Sequence, residues 1–328
     1  MPGAGPGRTT MQRFVDWLTA SPVRVLLGAA LLAPLGYALI FFMWVPGALI
    51  VLLALRAGKP VADWQAAPVS VLTLGWWLLT SVGAGPLPAA LVALGVIGPP
   101  LLVGRLLARG GSLTLAFQFS TLAAVVMLVV VHLVLADPPG VWRPYVERLA
   151  GELDRVATMM AAPANDKHPS SAELHEAASA VVNWGVVTWL LLVNTVVAAA
   201  LGLWAHGRQT GTALLGPAFR ALQAGRTLAG IAFVAMLLAM TVHWDLASDA
   251  QRLFVGALAL QGLALVHAAR EILGFSGSWL VGTYVLLFVP FAALAVQSLL
   301  VVVGFLDNWL PLRGRLAALA ARDKGRRG

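Results

Sequence analysis

VVNWGVVTWLLLVNTVVAAALGLW, residues Val181 to Trp204, runs without a single charged side chain. A helix needs about 20 mostly apolar residues to cross a hydrocarbon core of roughly 30 Å, and this stretch is long enough. It lacks the two-residue alternation of a barrel strand. Inside lipid every backbone N–H and C=O must be paired within the segment or a closed barrel, so the stretch reads as a helix. Thr114 to Ala136 and Trp279 to Leu306 read the same way. The whole chain agrees with them: 59% of its 328 residues are hydrophobic and 11% charged, with a mean hydropathy of +0.85, well above a soluble domain. The fold class expected is an all-α, polytopic integral membrane bundle.

Apolar runs fall at 23–43, 45–57, 66–83, 87–104, 113–136, 181–205, 227–244, 251–269 and 279–306, which predicts about eight or nine transmembrane helices. The second run begins at Pro46 and Gly47 and is short enough for a re-entrant helix. Residues 1–22 read as a flexible N-terminus with a short surface helix at 11–20. A membrane bundle of five segments then covers 23–136, a polar extramembrane segment 137–180, a second bundle of four segments 181–310, and a basic tail 311–328. Trp44, Trp142, Trp204, Trp244, Trp279 and Trp309 lie at segment ends, where an indole keeps its ring apolar and its N–H near water.

Two stretches outside the spans are amphipathic. Val146, Leu149, Leu153, Val156 and Met160 recur at helical spacing between Trp142 and Met160, with Arg148 and Glu152 placed to pair at i, i+4. Pro217 to Arg226 is a shorter connector with Phe219 and Leu222 beside Arg220 and Arg226.

The formal charge is +8 and cysteine is absent. Without cysteine there is no disulfide framework, thiolate metal site or thiol nucleophile. The basic residues are scattered over short connections and a tail beginning at Arg313, which fits Lys and Arg gathered near anionic headgroups and not a nucleic-acid-binding face. The segment 137–180 holds seven acids against four bases, so an exterior position suits it. With a cytoplasmic N-terminus, nine crossings would put the most basic segment, Arg313 to Arg327, outside. Either one segment fails to cross, or the last run bends near Pro290 and returns, or the orientation inverts upstream.

Polar groups at membrane depth are costly and therefore functional candidates. They are Gln118, His132, Asn194, Gln261, His267, Tyr284 and Gln297, with His243, Asp245 and Asp307 at segment ends. Asn194, with Thr195 and Thr188, is also placed to hydrogen-bond a neighbouring helix. His267 and Glu271 stand one turn apart and are placed to pair. The chain has no HExxH, GxSxG or GxxxxGK[ST] signature, so no enzymatic activity, catalytic residue, cofactor or metal site is expected. Ala29 and Ala33 form an AxxxA ridge that lets a helix approach closely.

Gln261, Gly262, His267, Trp279, Tyr284, Gly304, Asp307, Trp309 and Arg313, with Phe219 to Arg226 upstream, form a succession over roughly the last 110 residues. It resembles the YybS-like family of bacterial membrane proteins, which is similar to the substrate-binding S components of energy-coupling-factor transporters. The resemblance implies a module that binds a small solute, a vitamin or a metal ion, in the bacterial cytoplasmic (inner) membrane. Its energy would come from a separate membrane coupling subunit and ATPase. On that reading Gln118, His132, Asn194, Gln261, His267 and Tyr284 face the solute, and Ala29 and Ala33 meet the partner. Nine segments exceed the six usual in S components. The alternative is a non-transport scaffold or regulator of cell-envelope or membrane assembly. If the polar residues converge on one cavity the first reading gains, and if they scatter over helix contacts the second does.

Overall fold

The computed structural model describes residues 44–57, 98–160, 169–242 and 244–327, with Thr10, Arg13, Asp16, Trp17, Ala20, Ser21 and Arg24 ahead of them. The expected segment 23–43 apart from Arg24, the segment 66–83, residues 87–97 of the segment 87–104, the ridge residues Ala29 and Ala33, and His243 lie outside the described residues. All regular structure among the described residues is helical. In chain order the helices are α1 (Trp44–Ala57), α2 (98–108), α3 (Leu113–Val134), α4 (Arg143–Met160), α5 (Ser171–Val181) and α6 (Trp184–Thr210). They continue with α7 (Leu215–Arg220), α8 (Gly225–Thr241), α9 (Asp245–Leu273), α10 (Ser278–Phe288), α11 (Pro290–Leu306) and α12 (Leu312–Arg327).

Local chemistry sets the boundaries. Ser112 caps α3 by accepting from Leu115 N–H at 3.1 Å, and Asn183 caps α6 by accepting from Val186 N–H at 2.9 Å. At α5, Ser170 and Glu173 cap each other's backbone amides in a capping box. α6 stops at Gly211, whose φ of 73° is left-handed.

Among the described residues three helical stretches are long and apolar enough to cross a membrane: Leu113–Val134, Ser171–Thr210 and Asp245–Leu273. This falls short of the eight or nine crossings expected from sequence. Trp44–Arg56 and Gly225–Thr241 are apolar but shorter, and the last run is not one helix. It breaks between Phe288 and Phe291 and is bent there by 118°. Pro290 has no N–H to continue the ladder and opens α11 instead. Counted as one span, the pair would raise the number to four.

The described helices carry the surface of a membrane protein. Leu133, Met240, Phe288, Phe291 and Leu294 are each more than 70% exposed, a face that water would penalise and acyl chains accept.

α9 is the hub, packing against α3, α6, α8, α11 and α12, while α1 lies along α6. Small residues permit the closest contacts. A Cβ on Gly262 would run into the Leu300 carbonyl oxygen, and one on Gly304 into that of Leu258. The core between the helices is apolar, with Trp184, Phe117, Leu128 and Leu253 fully buried.

The amphipathic stretch is α4, preceded by a 3-10 turn at Pro139–Trp142. It folds back on α5 as a hairpin that buries Val146 and leaves Val156 exposed. Glu152 pairs with Arg155 at 2.9 Å and not with Arg148.

The bend decides where the basic tail sits. Arg313, at the start of α12, donates to the Leu222 carbonyl at 2.8 Å, and Arg226 donates to that of Asn308 at 3.4 Å. The tail therefore begins beside the connection that runs from Arg220 to Arg226.

Candidate functional site

The connection between α7 and α8 is irregular backbone placed against the bundle, and each of its polar groups needs a partner. Five successive groups find one in a side chain. The carbonyls of Ala221, Leu222 and Gln223 accept from Thr114 Oγ1 (2.8 Å), Arg313 Nη2 (2.8 Å) and Gln118 Nε2 (3.1 Å). The amides of Ala224 and Gly225 donate to Gln261 Oε1 (2.8 Å) and Asn308 Oδ1 (2.7 Å). Helices α3 and α9, the end of α11 and the start of α12 thus grip one loop. Gly225 has a φ of 83°, and a side chain there would press on Gln118 Nε2 at 3.1 Å, so the turn suits glycine twice over.

Asp307 holds this node together. Its Oδ2 accepts from Gln223 Nε2 and Gln261 Nε2, both at 3.2 Å, and pairs with Arg313 Nη2 at 3.1 Å. Asn308 Nδ2 donates to Gln261 Oε1 at 3.2 Å and to the Gly304 carbonyl at 2.9 Å. Gln261 is fully buried, and Asp307 and Asn308 are buried beside it. Burial pushes the Arg313 guanidinium below its ordinary range, and the Asp307 carboxylate acts against that.

The second arrangement lies further along α9. His267 Nδ1 faces the Leu263 carbonyl at 3.0 Å; a carbonyl only accepts, so Nδ1 carries the proton. In the neutral imidazole Nε2 is then the acceptor, and it lies 3.4 Å from the Tyr284 hydroxyl of α10. Phe219 meets the imidazole edge-on at 5.1 Å. These residues line a half-open cavity of about 740 Å³ with Trp204, Arg208 and Arg220. The Arg208 guanidinium stands 5.7 Å over the Trp204 ring. Glu271 pairs with Arg220 at 3.7 Å and Arg270 at 3.9 Å. That corrects the expected pairing with His267, whose two nitrogens are already engaged.

The third arrangement is at the opposite end of α9. His132 Nδ1 donates to the Leu128 carbonyl at 2.9 Å, and Nε2 lies 3.4 Å from Asp249 Oδ2 without an aligned hydrogen bond. This contact is attractive when the imidazole carries both protons. Asp249 Oδ1 accepts from Gly185 N–H at 3.0 Å and Arg252 Nη1 at 3.3 Å. The α4–α5 hairpin closes over this corner. Trp184 Nε1 donates to the Pro138 carbonyl at 2.9 Å, and Trp142 meets the Trp184 ring edge-on at 5.0 Å. A smaller cavity of about 360 Å³ lies beneath, lined by Arg143, His175, Asp245 and Arg252.

The six residues predicted to face a solute therefore divide. Gln118 and Gln261 share the loop node, His267 and Tyr284 share the larger cavity, and His132 sits at the other end with Asp249. Asn194 is buried within α6. Thr188 and Thr195 donate to carbonyls of their own helix, Trp184 and Leu191, and not to a neighbour. Of the family-motif positions, Gln261, Gly262, Gly304, Asp307 and Arg313 gather at or beside the node. Trp279 and Trp309 are exposed. Sequence reading missed Asp249, Arg252, Gln223 and Asn308 as partners. Asp249 and Arg252 look like ordinary charged residues at a segment edge, and no spacing rule links them to His132 on another helix. Among the described residues no group of three metal-ligating side chains converges.

No protein-family model, curated protein or solved structure matches the chain.

Proposed function

We propose that this protein is a non-catalytic scaffold or regulator of cell-envelope or membrane assembly, seated in the bacterial cytoplasmic membrane with the basic helix α12 on the cytoplasmic side. The observation that carries the reading is the loop node. Side chains that a transporter would turn toward a solute, Gln118 and Gln261 above all, are turned onto the protein's own backbone. Such a node fixes the relative positions of α3, α8, α9 and α11, which is what a platform for partners requires. The orientation rests on Arg220, Arg226, Arg313 and Arg315 gathering at one end. Kinship with the YybS-like family belongs to the same proposal, and the meeting of Gln261, Gly262, Gly304, Asp307 and Arg313 supports it. Crossings by residues 23–43 and 66–83 are part of it too.

A second reading has an observation of its own. The cavity holding His267 and Tyr284 is of ligand size, as an S-component-like module for a small solute would need, with a coupling subunit and an ATPase on other chains.

One experiment separates the two: affinity purification of the intact protein in mild detergent, with mass spectrometry of bound proteins and small molecules. Envelope-assembly or division proteins in stoichiometric amount, without a vitamin or metal ion, are expected on the scaffold reading. Recovery of an ATPase with its membrane coupling subunit, or of a stoichiometric vitamin or metal ion, overturns it in favour of the second.

A further inference from the structure

We propose that the cavity at the C-terminal end of α6 is a binding site for an anionic phospholipid, its phosphate held by Arg208 and Arg220 and its acyl chain laid along Trp204 and Phe219. The proposal does not rest on the scaffold reading, which assigns this cavity no occupant.

Charge is the first ground. Both charged residues that line the cavity are arginines. Glu271 sits by Arg220, but Arg270 shares that carboxylate, so these two guanidiniums have one carboxylate between them. A guanidinium presents a planar fork of donors that matches phosphate oxygens, and it is more weakly hydrated than an ammonium.

The second ground is the amphipathic layout. Along α6 the wall passes from Ala200 through Trp204 to Arg208, from apolar to cationic over two helical turns, as a lipid does from chain to headgroup. The third is access. Tyr284 belongs to α10, whose Val281, Val285 and Phe288 are exposed apolar residues, so the cavity adjoins a face that lipid would cover. The Tyr284 hydroxyl donates to His267 Nε2 and keeps both lone pairs of its oxygen open to further donors. The volume of about 740 Å³ accommodates a headgroup and the first part of a chain but not a whole phospholipid, so the rest of the tail would remain in the bilayer. A free phosphate shares the headgroup chemistry and has no use for the apolar wall.

The test uses the full-length protein in mild detergent and native mass spectrometry, with phosphatidylglycerol, phosphatidylcholine and inorganic phosphate as probes. Two variants attack the site differently. Arg208→Gln combined with Arg220→Gln removes the charge. Gly216→Leu fills the cavity with both arginines retained; a Cβ there meets only Arg220 Nη1, at 3.4 Å, so the backbone tolerates it. Arg155→Gln on the far hairpin is the control for general loss of charge. The wild type and the control are expected to retain phosphatidylglycerol in preference to phosphatidylcholine. The double variant should bind it about 30-fold more weakly, as two surface arginines at about one kcal/mol each imply, and the filled variant should lose it as well. Equal retention by wild type and both variants overturns the site. Displacement of the lipid by inorganic phosphate at matched concentration overturns the lipid assignment.

Discussion

The loop node and the arginine cavity are made from the same few residue types, a glutamine or histidine on α9 and an arginine from another helix, and they use them in opposite ways. At the node the polar atoms point inward. Gln261 is fully buried with both ends of its amide engaged, and five neighbouring backbone groups are satisfied by side chains. In the cavity, six residues further along α9, His267 reaches one partner side chain at the outer limit of a hydrogen bond, and Tyr284 is 40% exposed. A polar residue in an apolar helix is thus a fastening where a neighbouring chain segment closes over it and a receptor where none does. The desolvation cost is met by protein in the first case and left for a ligand or solvent in the second.

The contrast is broken most directly at Asp307. Asp307→Ala removes the acceptor shared by Gln223, Gln261 and Arg313 and leaves a largely buried guanidinium without its counter-charge. Destabilisation of about 3–5 kcal/mol is expected in detergent unfolding, with a corresponding loss of Tm. A change below about 1 kcal/mol would mean that the node fastens nothing.

A smaller effect is expected where the helices touch. Gly304→Ala places a methyl against the Leu258 carbonyl and forces α9 and α11 apart, at about 1–3 kcal/mol by the same assay. A neutral result would show that the two helices slide freely and that the tight contact is not what positions Asp307.

The smallest effect belongs to the cavity. Tyr284→Phe is expected to shift stability by no more than about 0.5 kcal/mol, as is usual for half-exposed positions. If it costs as much as Asp307→Ala, the cavity is a second fastening and the comparison fails.

Much of the fold was legible because membrane insertion writes itself into composition. Runs such as Val181 to Trp204 have no other stable destination, and the amphipathic register of Val146, Leu149 and Leu153 marked α4 before its packing was visible. Pro290 flagged the bend as one of three alternatives, since the missing N–H is a local property. The pairings were less legible. Glu271 stood one turn from His267, yet Arg220 arrives from α7 and takes it. Glu152 chose Arg155 over Arg148, a choice between two exposed neighbours worth a few tenths of a kcal/mol. His132 was recognised as a candidate, but Asp249 was not, because that contact joins α3 to α9 and leaves no periodic trace.

By itself, then, the chain's sequence determined its apolar solvent, its all-helical class and the short roster of polar side chains that apolar surroundings make costly, but not the number of spans. These follow from transfer energies and backbone hydrogen bonding, which act on each segment independently. Only the tertiary structure decided which of those side chains are closed onto the loop at Ala221 to Gly225 and which still line an open cavity. That outcome depends on which helices approach and how near their small residues let them come, and neither is a property of any one segment.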